Sequence, residues 1–206
     1  MSKTTIPTGG LADAAVTTAK ITDANITTAK IADDAVTAAK STGLGITQFH
    51  NWRYNTAVQA DASPILSNWE ENDSNGYERI GSALTYSGST GYFTLPETGK
   101  YLVTFQGQTY HDADTGAVNF FIKGTTDNGS SSHALSRQTA TIEPSSGDAA
   151  GNGAVSGCTV GYFDCTDTST HKLNFHISFA GSPNGTINGD SGESYVGFTL
   201  IRIGDT

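Results

Sequence analysis

Gly91-Tyr92-Phe93-Thr94-Leu95-Pro96-Glu97-Thr98-Gly99-Lys100-Tyr101-Leu102-Val103 is the stretch on which the fold turns. Leu95-Pro96-Glu97-Thr98-Gly99-Lys100 is a turn signal, because Pro presets φ and Gly admits conformations closed to other residues. Beyond it, Tyr101, Val103 and Phe105 share one face of KYLVTFQGQTY, the period-two alternation of a half-buried strand. The same pattern recurs downstream. Val118, Phe120 and Ile122 share a face of AVNFFIK, and Leu173, Phe175, Ile177 and Phe179 share one of HKLNFHISF, with Lys172, Asn174, His176 and Ser178 opposite. The closing SYVGFTLIRIG is apolar on both faces, as expected of a central strand covered on two sides. Turn signals (GSTG, ADTG, TDNGS, SPNGT, NGDSGE) separate these runs. Eight or nine strands so punctuated predict an all-β, antiparallel sandwich or jelly roll.

Ahead of this domain stands an internal repeat. Residues 11 to 40 are three decamers, LADAAVTTAK, ITDANITTAK and IADDAVTAAK. Leu11, Val16, Ile21, Ile26, Ile31 and Val36 recur every five residues. On a helix a step of five advances by about 500° and makes no stripe; in a strand it alternates faces. Neither form buries all six positions in one chain, whereas turns and extended pieces wound beside identical chains bury them at a shared axis. The period therefore predicts a non-globular stalk that trimerises, the alternative being a disordered Ala/Thr tail. The expected organisation is an N-terminal arm at 1–10, the repeat stalk and anchor at 11–40, a linker at 41–45 and a jelly-roll head at 46–206.

Two resemblances follow from these residues. The decamers are similar to the stalk repeats of bacteriophage tail-fibre and head-fibre proteins, which implies a virion protein attached through its N-terminus. The Phe93-to-Val103 segment resembles the "F-x-x-P-x-x-G-x-Y-x-V" segment of the jelly roll shared by complement globular heads and tumour necrosis factors. Ser194-Tyr195-Val196-Gly197-Phe198-Thr199-Leu200 resembles that superfamily's end strand, with Tyr195 and Val196 slightly off its phasing. This resemblance implies a homotrimer with a hydrophobic axis, and it raises the prospect of calcium, which some complement-type heads hold.

Charge divides the chain as the patterning does. The net charge is −9. Residues 1–40 hold four Lys and four Asp and are neutral, so residues 41–206 carry the excess, 16 acidic against 7 basic groups. An acidic domain without clustered Lys and Arg excludes the usual nucleic-acid interface. No stretch approaches a membrane span, and Met-Ser-Lys-Thr-Thr opens no secretory signal. The expected site is the virion's outer surface, after synthesis in the host cytoplasm.

Chemistry is sparse. Nucleophile elbow, phosphate loop and His-Glu-x-x-His are all missing, and no enzyme is expected. Gly151-Asn152-Gly153 with Gly157 reads as a loop. Cys158 and Cys165, an odd number apart, fall on opposite faces of a strand and are expected as reduced, partly buried thiols. His171 and His176 point to opposite faces and make a poor metal pair. Asp112 with Asp114, and the loop Asn188 to Glu193, offer oxygens to calcium, but too few for the six to eight a site requires; no cofactor is expected. Phe49, Trp52, Tyr54 and Trp69 are either a sugar-stacking platform, with Trp52 and Trp69 at the surface, or packing in the sandwich or trimer interface.

These readings converge on a homotrimeric capsid-decoration or head-fibre protein. Its partners would be its own copies and the major capsid protein or another virion protein. The alternative is a tail-fibre tip or receptor-binding protein that grips a host glycan.

Overall fold

Pro96 and Gly99 carry the chain from one sheet of a sandwich to the other. The computed structural model describes residues 9–12, 15–17, 19, 21, 26–27, 31, 45–59, 62–73, 76–111, 116–142, 153–180 and 185–206. The chain divides into two compact units, Met1–Gly45 and Ile46–Thr206.

The second unit is built of β1 (Phe49–Tyr54), β2 (Val58–Gln59), β3 (Trp69–Glu71), β4 (Thr85–Tyr86), β5 (Phe93–Thr94), β6 (Gly99–His111), β7 (Gly116–Thr125), β8 (His133–Ile142), β9 (Gly153–Cys165), β10 (Lys172–Ala180), β11 (Gly185–Ile187) and β12 (Gly197–Gly204). These form two antiparallel sheets. The larger runs β2-β11-β6-β12-β1-β3, with β9 on the other edge of β6; the smaller runs β4-β5-β10-β7-β8. The chain crosses between them at β3–β4, β5–β6, β6–β7, β8–β9, β9–β10 and β10–β11, which makes the unit a jelly-roll sandwich.

The opening segment explains the β5–β6 crossing. Thr94 ends β5 in the smaller sheet and Gly99 starts β6 in the larger. Gly99 has φ of 149°, and a Cβ there would meet the Gly204 carbonyl at 2.9 Å as well as the Arg202 guanidinium. Only glycine fits without strain. Tyr101 then reaches back over the turn, its hydroxyl donating to the Glu97 carbonyl at 2.8 Å.

The alternating residues form the core. Tyr101, Val103, Phe105, Val118, Phe120, Ile122 and Ile177 are fully buried, and Leu173 and Phe175 nearly so. On β10 the opposite face departs from expectation, since Asn174 and His176 are also buried. The segment 62–65 runs along that strand, with backbone bonds between Ala62 and Ile177 and from Ile65 to Phe175. Its Ser63 hydroxyl lies 2.8 Å from His176 Nδ1. β12 is indeed central, between β6 and β1, yet only Phe198 and Leu200 reach the core. On its other face Thr199 and Ile201 are half-buried.

In the first unit the described backbone bends at Leu11, Val16, Ile21, Ile26 and Ile31, and all five side chains are exposed. Val36 lies outside the described residues.

Candidate functional site

The outer face of the larger sheet carries an apolar belt. Register sets Tyr162 beside Leu102, Leu102 beside Ile201, and Ile201 beside Phe49, across β9, β6, β12 and β1. A backbone bridge adds Ile80 next to Phe49. Neighbouring strands are about 4.8 Å apart, so the five side chains form one continuous row. Ile80 is 47% exposed, Leu102 38% and Tyr162 49%. Val160, next along β9, and Ile203, next along β12, extend the patch at 53% and 56%. Contiguous apolar surface of this kind is rare on a soluble protein except where something covers it. Arg53 bounds it on β1, buried against Glu70 at 3.0 Å and Asn72 at 3.0 Å.

Sequence reasoning missed this belt. Its trace was the two-faced apolar pattern of SYVGFTLIRIG, but the partners come from strands far apart in the chain and only register joins them. The six stalk positions are a separate matter. Five stand exposed at five-residue intervals, as above, and Val36 is not described.

The two tryptophans belong inside the sandwich, and a surface platform is corrected to core packing. Trp69 is 9% exposed, with its ring edge-on to Phe93 at 5.7 Å and Phe198 at 5.3 Å. Trp52 stacks parallel to Phe198 at 6.3 Å and edge-on to Phe93 at 5.1 Å. Alternation along β1 turns Trp52 and Tyr54 inward, and the β1–β3 register that pairs Tyr54 with Trp69 turns Trp69 the same way.

The remaining candidates fall apart in space. Cys158 and Cys165 are free thiols on opposite faces of β9, the first exposed rather than partly buried, the second buried. Burial pushes the Cys165 thiol up to about 11. His176 is held down to about 4 by burial, with nearby Lys123 adding to it. His171 sits before β10, near Thr166 and Thr170. Asp112 and Asp114 lie outside the described residues, as do Gly151 and Asn152. In the other loop, Asp190 Oδ1 accepts from the backbone N–H of Gly192 and Glu193 at 2.6 and 3.0 Å, which closes its own turn. No helix among the described residues is long and apolar enough to cross a membrane.

Comparison with solved structures places this architecture. The structure of Eiger TNF from S. frugiperda aligns with a TM-score of 0.52 and 13% identity over 77% of this chain and 93% of that one. Murine APRIL at pH 5.0 aligns with a TM-score of 0.51 and 13% identity over 76% and 98%. The fold is the tumour-necrosis-factor jelly roll. At this identity the likeness extends to the fold alone. No family model matches the sequence, and no curated protein does. Within the tumour-necrosis-factor-like jelly roll, the belt occupies the exposed face of the sheet that holds both chain ends of the unit, β1 and β12.

Proposed function

We propose that this protein is a homotrimeric virion structural protein, a capsid-decoration or head-fibre protein whose jelly-roll head associates through the apolar belt and whose N-terminal repeats anchor it. The observation that carries the reading is the row Tyr162–Leu102–Ile201–Phe49–Ile80 on an otherwise finished sandwich. Burying an aliphatic side chain contributes about 1.5–3 kcal/mol, and in a trimer each such position counts three times. Isologous or cyclic pairing of identical chains is the commonest way to cover such a face.

The virion assignment rests on the repeat. Five apolar side chains exposed at five-residue steps gain nothing alone and gain cover when identical chains run side by side. The decamers resemble the stalk repeats of fibre proteins.

Cryo-electron microscopy of the particle tests the assignment. Density for this jelly roll on the capsid supports it. Density at the tail tip moves the protein to host attachment, and its absence from the particle overturns the virion reading.

A further inference from the structure

We infer that a concavity on the same face of the larger sheet, beyond the apolar belt, is a binding site for a neutral carbohydrate. Its volume is ≈ 450 Å³, within the range of small-molecule clefts. The floor is the backbone of the Gly107–Gly157 cross-strand pair, whose Cα hydrogens face the Phe120 ring on the core side while Gln106, Gln108 and Ser156 rise on the outer side. Around it stand Gln106, Gln108, Gln138, Ser156, Ser194 and Tyr195. No charged side chain is among its described lining residues, although residues 41–206 carry 23 charged groups.

That chemistry selects the ligand class. An anionic ligand calls for Arg or Lys, and a peptide side chain calls for an apolar pocket; neither is here. Sugar hydroxyls, which donate and accept, match amides and hydroxyls. Two amides are held in place by the protein. Gln108 Oε1 accepts from Asn188 Nδ2 at 2.9 Å, and Gln138 Oε1 accepts from the backbone N–H of Cys158. With each oxygen engaged, the NH₂ is the end left to offer, and no side-chain freedom has to be lost to aim it. Tyr195 supplies the aromatic wall. It is 41% exposed, which offers ring surface to the C–H face of a sugar.

The site and the belt are separable. Gln106 lies four residues beyond Leu102 on β6, about 13 Å at the strand rise. A chain that fails to trimerise but binds sugar would sink the assembly proposed above and leave this inference standing.

An array of neutral oligosaccharides, with sialylated and uronate-containing ones as the counter-arm, probed with the full chain, identifies a ligand for calorimetric titration. We expect neutral oligosaccharides to bind, Gln108→Ala and Tyr195→Ala each to weaken binding about tenfold or more, and Ser156→Trp to abolish it by filling the concavity. Ser156 is exposed, so that variant keeps its fold if either of the others does not. Absence of neutral-sugar binding up to about 10 mM, preference for the acidic arm, or binding that survives Ser156→Trp overturns the inference.

Discussion

Gly107 on β6 and Gly157 on β9 stand directly opposite each other, and the ring of Phe120 from the facing sheet occupies the space that their side chains would fill. A Cβ on Gly107 would come within 2.5 Å of the Phe120 ring, and one on Gly157 would be at least as close. The pair is thus fixed by packing across the sandwich, and on its other side forms the floor of the polar concavity.

Adding one methyl here overpacks the core. Gly157→Ala is expected to cost about 1–3 kcal/mol in urea unfolding. Combining it with Phe120→Leu makes room, so the double variant should be more stable than the two single costs added together. Strict additivity would show that the ring and the glycine do not meet.

The corner glycine is under a different constraint. Gly99→Ala meets both an unfavourable φ and the Gly204 carbonyl, and a loss of about 1–3 kcal/mol is expected. Tyr101→Phe, which removes only the bond to the Glu97 carbonyl, should cost about 1 kcal/mol. Equal stability of Gly99→Ala and the parent chain would remove the reason given for that residue.

Acid should loosen the head. His176 titrates at about 4 in the folded chain, held down by burial and by Lys123, and faces Ser63 on the packed side. His50 is also lowered, by burial first, against the opposing pull of Glu71 and with Arg79 adding to the lowering. Unfolded histidine titrates at about 6.5, so between 6.5 and 4 the unfolded chain binds more protons. Stability therefore falls as pH drops through that window, by up to about 3 kcal/mol from His176. Urea midpoints measured from pH 7 to pH 4 check this. His176→Gln should flatten the slope, and an unchanged slope would assign the acid response elsewhere.

The inward faces were legible because each long strand alternates: Tyr101, Val103 and Phe105, or Leu173, Phe175 and Ile177, needed no partner to be read. The Pro96–Gly99 corner was legible for the same local reason. What escaped was set by distance along the chain. β2, β4 and β5 are two residues each, too short to show a period. Burial of His176 depends on Ser63, more than a hundred positions away. Packing of Trp52 and Trp69 was the better reading of the sequence, but which face held them became fixed only with the pairing of β1 and β3 at Tyr54 and Trp69. The belt was the largest omission, since Tyr162, Leu102, Ile201, Phe49 and Ile80 become neighbours only through register.

Stalk and head are expected to contribute separately to assembly. Replacing Ile21, Ile26 and Ile31 together by Ser in the full chain removes apolar surface that is already exposed. Head unfolding should be unchanged while the concentration needed for trimers rises. A fall in the head's own unfolding midpoint would contradict a stalk that acts only in association.

Sedimentation velocity of the full chain at micromolar concentration, parent beside Leu102→Asp, tests the central claim most directly. Leu102 is 38% exposed within the belt, so the carboxylate is tolerated by a single chain but meets its own copies in a trimer. We expect the parent at three times the 21.4 kDa of one chain and the variant as a monomer with an unchanged unfolding midpoint. A parent chain that sediments as a monomer, or a Leu102→Asp trimer as stable as the parent, would contradict self-association through this face.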